Sequence, residues 1–306
     1  MKGLSLHELQ VLHTVIAKVA DRINRLATDT THGASWLTRQ AISTLSLAAK
    51  ESQAETVEQF IDELRQIVRT LTTARPGMVS IANYACLFLS QVLAAKHQKD
   101  LPTLKSHAVA KGMELIKASK QALSRTVEYA SGIIKDNDTI ATCSYSSTVC
   151  QVLAVARHKD TKFRVIIAES RFGGTSYGEI TAAELAKHLI PTEIIADSNI
   201  RHKISGVNKT LLGADAVIAS GYVVNGIPSL ELARASKAKQ IPVYVVCETA
   251  KFDFYGYIHE YPQPGFDAVP LNLCKALITE KGTMTPDLAL AYIQQKAEEM
   301  AQMLVE

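Results

Sequence analysis

At Asp136-Asn137-Asp138 the chain changes its hydrophobic period, and this change constrains the fold more than any other feature. Before it, apolar residues recur three and four positions apart. Leu9, Leu12, Ile16, Val19, Ile23 and Leu26 line one stripe of a first helix. A second is expected from Ser35, read as its N-cap, through Leu37, Ala41, Ile42, Leu45 and Ala48. A third follows at Val57, Phe60, Ile61, Leu64, Ile67, Val68 and Leu71 and is broken by Pro76-Gly77. Two more are expected over 79–96 and 101–134. Beyond 138, short β-rich runs at 139–144, 163–168, 192–196, 216–219 and 243–247 alternate with helical segments at 148–157, 181–189, 198–206 and 229–238. Such alternation is the pattern of βαβ units, so the second half reads as α/β, a doubly wound parallel sheet with helices on both faces. Single cores stop growing at roughly 250 to 300 residues, so two domains are expected in these 306 residues, a helical one over 1–135 and the sheet over 136–306.

The composition narrows the class. Apolar residues make up 47% and charged residues 21%, which suits a packed protein and disfavours intrinsic disorder. Lys plus Arg number 33 against 30 Asp plus Glu, without a long block of one sign, so the electrostatic footprint of direct nucleic-acid binding is missing. Cys86, Cys143, Cys150, Cys247 and Cys274 are widely spaced with no Cys-x-x-Cys pair, and they read as buried thiols rather than metal ligands or a disulfide framework. No metal and no other cofactor is expected. His7, Glu8, His13, Lys18 and Asp21 interrupt the first apolar pattern, which is not that of a signal peptide or membrane span. A cytoplasmic protein without membrane contact is the simplest expectation.

In doubly wound sheets, ligands bind at the carboxyl ends of the strands. The turn at 143–148 has no Gly-x-Gly-x-x-Gly, and the chain has neither a P-loop nor a Gly-x-Ser-x-Gly elbow. Dinucleotide, nucleotide-hydrolysis and α/β-hydrolase chemistry are therefore disfavoured. Ser144, Ser146, Ser147 and Thr148 cluster where the first strand meets a helix, a place that suits a phosphate, although simple N-capping by Ser146 or Ser147 explains them equally well. Asp215 stands beside small residues at the edge of an apolar run, as either a proton-transferring carboxylate or a solvated turn residue. Arg75, Arg171 and Lys251 each follow an element end. They are either surface charges or an anion site between the domains. His32 has no partner at metal spacing and reads as structural.

Taken in order, Thr142-Cys143-Ser144-Tyr145-Ser146-Ser147, Glu169-Ser170-Arg171, Gly213-Ala214-Asp215, Val224-Asn225 and Glu248-Thr249-Ala250-Lys251-Phe252 resemble one known family. It unites the α, β and δ subunits of translation initiation factor 2B with ribose-1,5-bisphosphate isomerase and 5-methylthioribose-1-phosphate isomerase. His32-Gly33-Ala34-Ser35, Ala74-Arg75-Pro76, Phe266-Asp267-Ala268-Val269-Pro270 and Thr279-Glu280-Lys281-Gly282 extend the resemblance over nearly the whole chain. The resemblance implies a helical N-terminal domain, a Rossmann-like C-terminal domain, and a homodimer or larger assembly formed through the latter. It also implies a phosphosugar pocket between the two domains. A Cys and an Asp do the chemistry in the family's isomerases, which places Asp215 as catalytic. The Cys falls on Ser144, with Cys143 one residue early. Gly33, Ala34, Arg75, Asn225 and Lys251 match the motifs that hold the sugar phosphate, and Ser146, Ser147 and Arg171 complete the candidate binding set.

Three departures bear on the reading. A one-residue shift in a strand turns a side chain to the opposite face, so Cys143 needs a bulge to replace the thiol lost at Ser144. The family's Asn-Lys-x-Gly-Thr becomes Asn225-Gly226-Ile227-Pro228-Ser229, and Ala250 stands where a Tyr is usual. The leading expectation is a phosphosugar-binding protein with isomerase chemistry. The alternative is a non-catalytic regulatory or assembly subunit acting through protein contacts, as in translation initiation.

Overall fold

The computed structural model describes residues 6–29, 32–75, 77–256 and 263–305, with the side chains of 6–16 and 300–305 excepted. The placements expected for Leu9, Leu12 and Ile16, and for Pro76 as a helix breaker, lie outside the described residues. The chain divides into two compact units, 1–120 and 121–306, and the division falls inside a long helix.

The first unit holds α1 (Leu6–Thr28), α2 (Ala34–Glu51), α3 (Val57–Ala74), α4 (Val79–Ala95) and the start of α5 (Leu101–Ser131). The helical period decides what is buried. Leu37, Ile42, Leu45, Phe60, Leu64, Leu71 and Phe88 form one core, and α2 packs on both α1 and α4. Thr56 caps α3 by accepting the Gln59 N–H at 3.2 Å. The expectation for Ser35 is corrected, because Gly33 is the N-cap of α2 and Ser35 lies inside the first turn. The backbone is already extended at Gly33 (φ −74°, ψ 162°), which places the cap two residues earlier.

The second unit is built on β1 (Asp138–Thr142), β2 (Phe163–Ala168), β5 (Thr192–Ile195), β6 (Lys209–Leu212), β9 (Val243–Val246), β11 (Ala276–Thr279) and β12 (Gly282–Met284). They form a seven-stranded sheet in the order β12-β11-β9-β6-β1-β2-β5, parallel except for β12. Period-two alternation separates its faces. Ile140, Val165, Ile167 and Leu211 pack with α6 (Ser147–His158) and the end of α5. Ala141, Cys143, Ile166, Ala168 and Leu212 pack on the other side with Leu232 and Ala233 of α9 (Ser229–Ala238) and with Ala289 and Ile293 of α10 (Pro286–Val305). Strand order reverses between β1 and β6, the switch point at which such sheets open a crevice. A separate antiparallel sheet, β10-β8-β7, comprises Phe266–Pro270, Tyr222–Gly226 and Ala216–Ile218, and the hairpin β3–β4 (Arg171–Phe172, Thr175–Ser176) precedes α7 (Tyr177–Ala186).

Three expectations are corrected. The run at 216–219 is a strand, but of the small sheet, and the parallel strand beside β1 is Lys209–Leu212. Its polar residues concealed it. Lys209 forms a buried ion pair with Asp138 and donates to the Ile133 carbonyl at 3.0 Å, while the buried Thr210 hydroxyl lies 2.7 Å from that of Ser236. The helix expected at 181–189 begins at Tyr177, where Ser176 accepts the Glu179 N–H. The helix expected at 198–206 is a 3-10 turn, Asp197–Asn199, followed by the single turn α8 (Ile200–Lys203).

Removing one member of a buried ion pair leaves a desolvated charge, so Lys209→Met is expected to destabilise the protein by about 3–5 kcal/mol. Urea unfolding monitored by circular dichroism checks this, and a loss below about 1 kcal/mol would place the pair among surface-type pairs.

Candidate functional site

At its carboxyl end β1 delivers Cys143 and Ser144 in succession, and the chain turns sharply. Cys143 continues the Ala141 face and is 1% exposed, with its thiol 3.3 Å from the Ser229 hydroxyl. Burial pushes this thiol up to about 12, against the opposing effect of the Ser229 hydrogen bond. Ser144 has a φ of +58°, a region that disfavours side chains other than Gly and costs on the order of 1–3 kcal/mol. Two bonds hold it there. Its N–H donates to the Ser170 hydroxyl at 2.7 Å, and its carbonyl accepts the Thr181 hydroxyl at 2.8 Å.

Ser146 is the N-cap of α6 and accepts the Val149 N–H at 3.3 Å, while Ser147 is the first helical residue. Close backbone approaches bring the neighbouring loops against these serines. A Cβ at Gly213 would lie 2.7 Å from that of Ser146 and 3.4 Å from Asn225 Oδ1, and one at Gly226 would lie 3.0 Å from that of Ser144. Ser144, Ser146, Gly213, Asn225 and Gly226 are therefore one cluster. Asn225 is buried and donates from Nδ2 to the Ser229 hydroxyl at 2.8 Å, which itself donates to the Gly226 carbonyl at 2.6 Å. Half-buried Asp215 follows β6 and joins the same edge through its N–H, which donates to the Val224 carbonyl at 2.8 Å.

Lys251 ends the 3-10 turn Thr249–Lys251 after β9, the strand next to β6. It is 5% exposed, and its positive charge acts on the Cys247 thiol. Glu280 fixes this turn by accepting from both the N–H and the hydroxyl of Thr249. Arg171 is exposed on the β3–β4 hairpin, where the Glu169 carboxylate pairs with it and holds the guanidinium above its ordinary value.

Gly33, Ala34 and Arg75 belong to the first unit. The Arg75 guanidinium donates to the carbonyls of Asp29 and, at 3.4 Å, Ala27. The Asp29 carboxylate accepts the His32 N–H at 2.8 Å and lies 2.8 Å from its Nδ1, and the His32 ring stacks on Trp36. No group of three or more His, Cys, Asp or Glu residues suited to a metal ion occurs among the described residues. Nor is any of their helices long and apolar enough to cross a membrane.

Sequence reasoning missed Ser170, Thr181, Asp197 and Ser229, the residues that hold the site's backbone. The available signal was position, because Ser170 and Asp197 lie just beyond the strand ends at Ala168 and Ile195, as Asp215 lies just beyond Leu212.

The fold and its strand-end serines are those of a doubly wound α/β protein, and comparison with known proteins gives the family. Residues 30–261 match the model of the initiation factor 2 subunit family. A ribose 1,5-bisphosphate isomerase of Thermococcus kodakarensis is 27% identical, the alignment covering 92% of this chain and 94% of that one. A translation initiation factor eIF-2B subunit 2-like protein of Pyrococcus horikoshii is 28% identical over 88% and 97%. Among solved structures, the translation initiation factor eIF-2B of Pyrococcus horikoshii OT3 superposes with a TM-score of 0.74 at 25% identity, covering 89% of this chain and 98% of its own. A chain of the tetrameric eIF2B-beta2-delta2 complex of C. thermophilum gives 0.77 at 20% identity over 96% and 100%, a likeness of fold. The chain belongs to the initiation factor 2 subunit family.

Burial holds Cys143, Cys150, Cys247 and Cys274 each up to about 12. In native protein at pH 8 these four thiols are expected to resist a disulfide reagent that modifies all five cysteines in urea. Unfolded thiols release their protons near their ordinary value of 9.0, before the folded ones do. Their contribution to stability is therefore complete below about 9 and declines as the pH rises towards about 12. Rapid native labelling of more than one thiol would contradict this burial.

Proposed function

We propose that the chain binds a phosphorylated sugar at the carboxyl edge of its parallel sheet and isomerises a 1-phosphorylated aldopentose to the ketose. Lys251 is the observation that carries the reading. A largely buried lysine at the strand edge offers its positive charge to an anionic group of a ligand. The N-terminus of α6 offers backbone N–H groups and positive potential at the same edge. Asn225, Ser146 and Ser147 supply polar contacts, and Arg171 adds a mobile cation once it leaves Glu169. Gly33, Ala34 and Arg75 are assigned to the same ligand on the family pattern.

Isomerisation breaks the bond between C1 and the ring oxygen, moves the C2 hydrogen to C1 and the C2 hydroxyl proton to the ring oxygen, and leaves a C2 carbonyl with no net oxidation. Asp215 is the group assigned to proton transfer at the ring oxygen, because a carboxyl group can give and take a proton. Ser144 occupies the position of the family's Cys. Its hydroxyl is far harder to ionise than a thiol and acts as a hydrogen-bond donor to the substrate. One observation favours the alternative of a non-catalytic regulatory or assembly subunit: Cys143 is sealed behind Ser229, so the thiol is withdrawn from the edge where the chemistry would occur. In either reading the chain forms a homodimer or larger assembly, and light scattering that gives the mass of a single chain at micromolar concentration would contradict that.

A thermal-shift series with ribose 1,5-bisphosphate tests binding, since a ligand at a hundred times its Kd adds about 2.7 kcal/mol. Lys251→Met is expected to remove the shift. Asp215→Asn is expected to retain it and to lose turnover, because the amide keeps the shape without exchanging the proton. Cys143→Ser with near-wild-type turnover fits a structural thiol, whereas a large loss would return it to the chemistry. Binding with no conversion in the wild type would select the regulatory reading.

A further inference from the structure

We propose that Asp197 is a positioning residue that clamps the site's backbone, acting on Ser144 through Ser170; its effect on turnover rests on the role given to Ser144 above. After β2 three successive N–H groups face the end of β5. That of Glu169 donates to the Ile195 carbonyl at 2.8 Å, that of Ser170 to Asp197 Oδ1 at 2.8 Å, and that of Arg171 to Asp197 Oδ2 at 3.4 Å. Ser170 has a φ of +54°, and a left-handed residue of this kind turns neighbouring N–H groups into a concavity that binds anions. Here a carboxylate of the chain itself fills it. An incoming phosphate is thereby kept off these backbone N–H groups and meets the α6 terminus, Lys251 and the Arg171 side chain instead.

The clamp extends inward through a fully buried hydroxyl. Ser170 Oγ donates to the Ala168 carbonyl at 3.1 Å and accepts the Ser144 N–H at 2.7 Å. Two non-glycine residues in left-handed backbone are thus tied in series, Asp197 to Ser170 and Ser170 to Ser144. Ser144 stands against Gly226, and any drift of its main chain moves the hydroxyl that faces the substrate. A displacement of about 1 Å at such a group costs on the order of a hundredfold in rate.

Two measurements test this, and the first needs no ligand. Amide hydrogen exchange of Asp197→Ala is expected to be about tenfold faster at Ser144, Ser170 and Arg171, the loss of one net hydrogen bond, with Leu211 and Val245 unchanged. Asp197→Asn keeps an oxygen for the Ser170 N–H and restores most of the protection. With ribose 1,5-bisphosphate, Asp197→Ala lowers kcat on the order of a hundredfold with KM held within about twofold, and Asn recovers much of it. Unchanged exchange at Ser144 overturns the proposal, as does faster exchange spread over the whole sheet. If Asp197→Ala fails to fold, Ser170→Ala decides, with faster exchange at Ser144 supporting the clamp and unchanged exchange refuting it. If wild-type protein neither binds nor converts the sugar, the functional reading fails, and the ligand-free exchange alone decides for or against the clamp.

Discussion

Burial of the parallel sheet on both faces is the constraint on which the second unit depends. Parallel strands need covering on both sides, and period two supplies it, sending Ile140, Val165, Ile167 and Leu211 to one core and Ala141, Ile166, Ala168 and Leu212 to the other. Both faces being filled, the strand ends are where polar groups gather. The reversal between β1 and β6 separates the loops after these strands, and the serines, Asn225 and Asp215 occupy that edge. The same alternation fixes the fate of Cys143. Sharing the face of Ala141, it enters the core with its thiol against Ser229, and the next residue, Ser144, is left at the turn.

The site joins two kinds of cost. Ser144 and Ser170 hold left-handed backbone, and Lys251 is a charged residue only 5% exposed. Such costs are retained where the surroundings over-determine them, and backbone strain concentrates at sites that act on ligands. Here the surroundings are identifiable: Thr181 and Ser170 on Ser144, Asp197 on Ser170, and Glu280 on the turn that carries Lys251.

The sequence showed much of this fold because its strongest signals are periodic. Phe163–Ala168 and Ser229–Ala238 coincide with their expected bounds, and the helical stripes of α2 and α3 are the ones buried. It hid Lys209–Leu212, because the lysine that starts this strand is paired with Asp138 across the chain, and no local pattern reports such a partner. The family resemblance singled out Asp215, Asn225 and Lys251. It was silent on Asp197, whose importance lies in tertiary hydrogen bonds to a loop far away in sequence.

The central claim, that a phosphorylated sugar binds at the edge formed by β1, β6 and β9, is tested most directly by titrating isotopically labelled protein with ribose 1,5-bisphosphate and following its backbone amides by NMR. The account predicts saturable shifts at Ser146, Ser147, Gly213 to Asp215 and Lys251, with the exposed faces of α7 and α10 unmoved. Saturation that leaves these strand-end amides unchanged, or that moves only residues elsewhere, would contradict it.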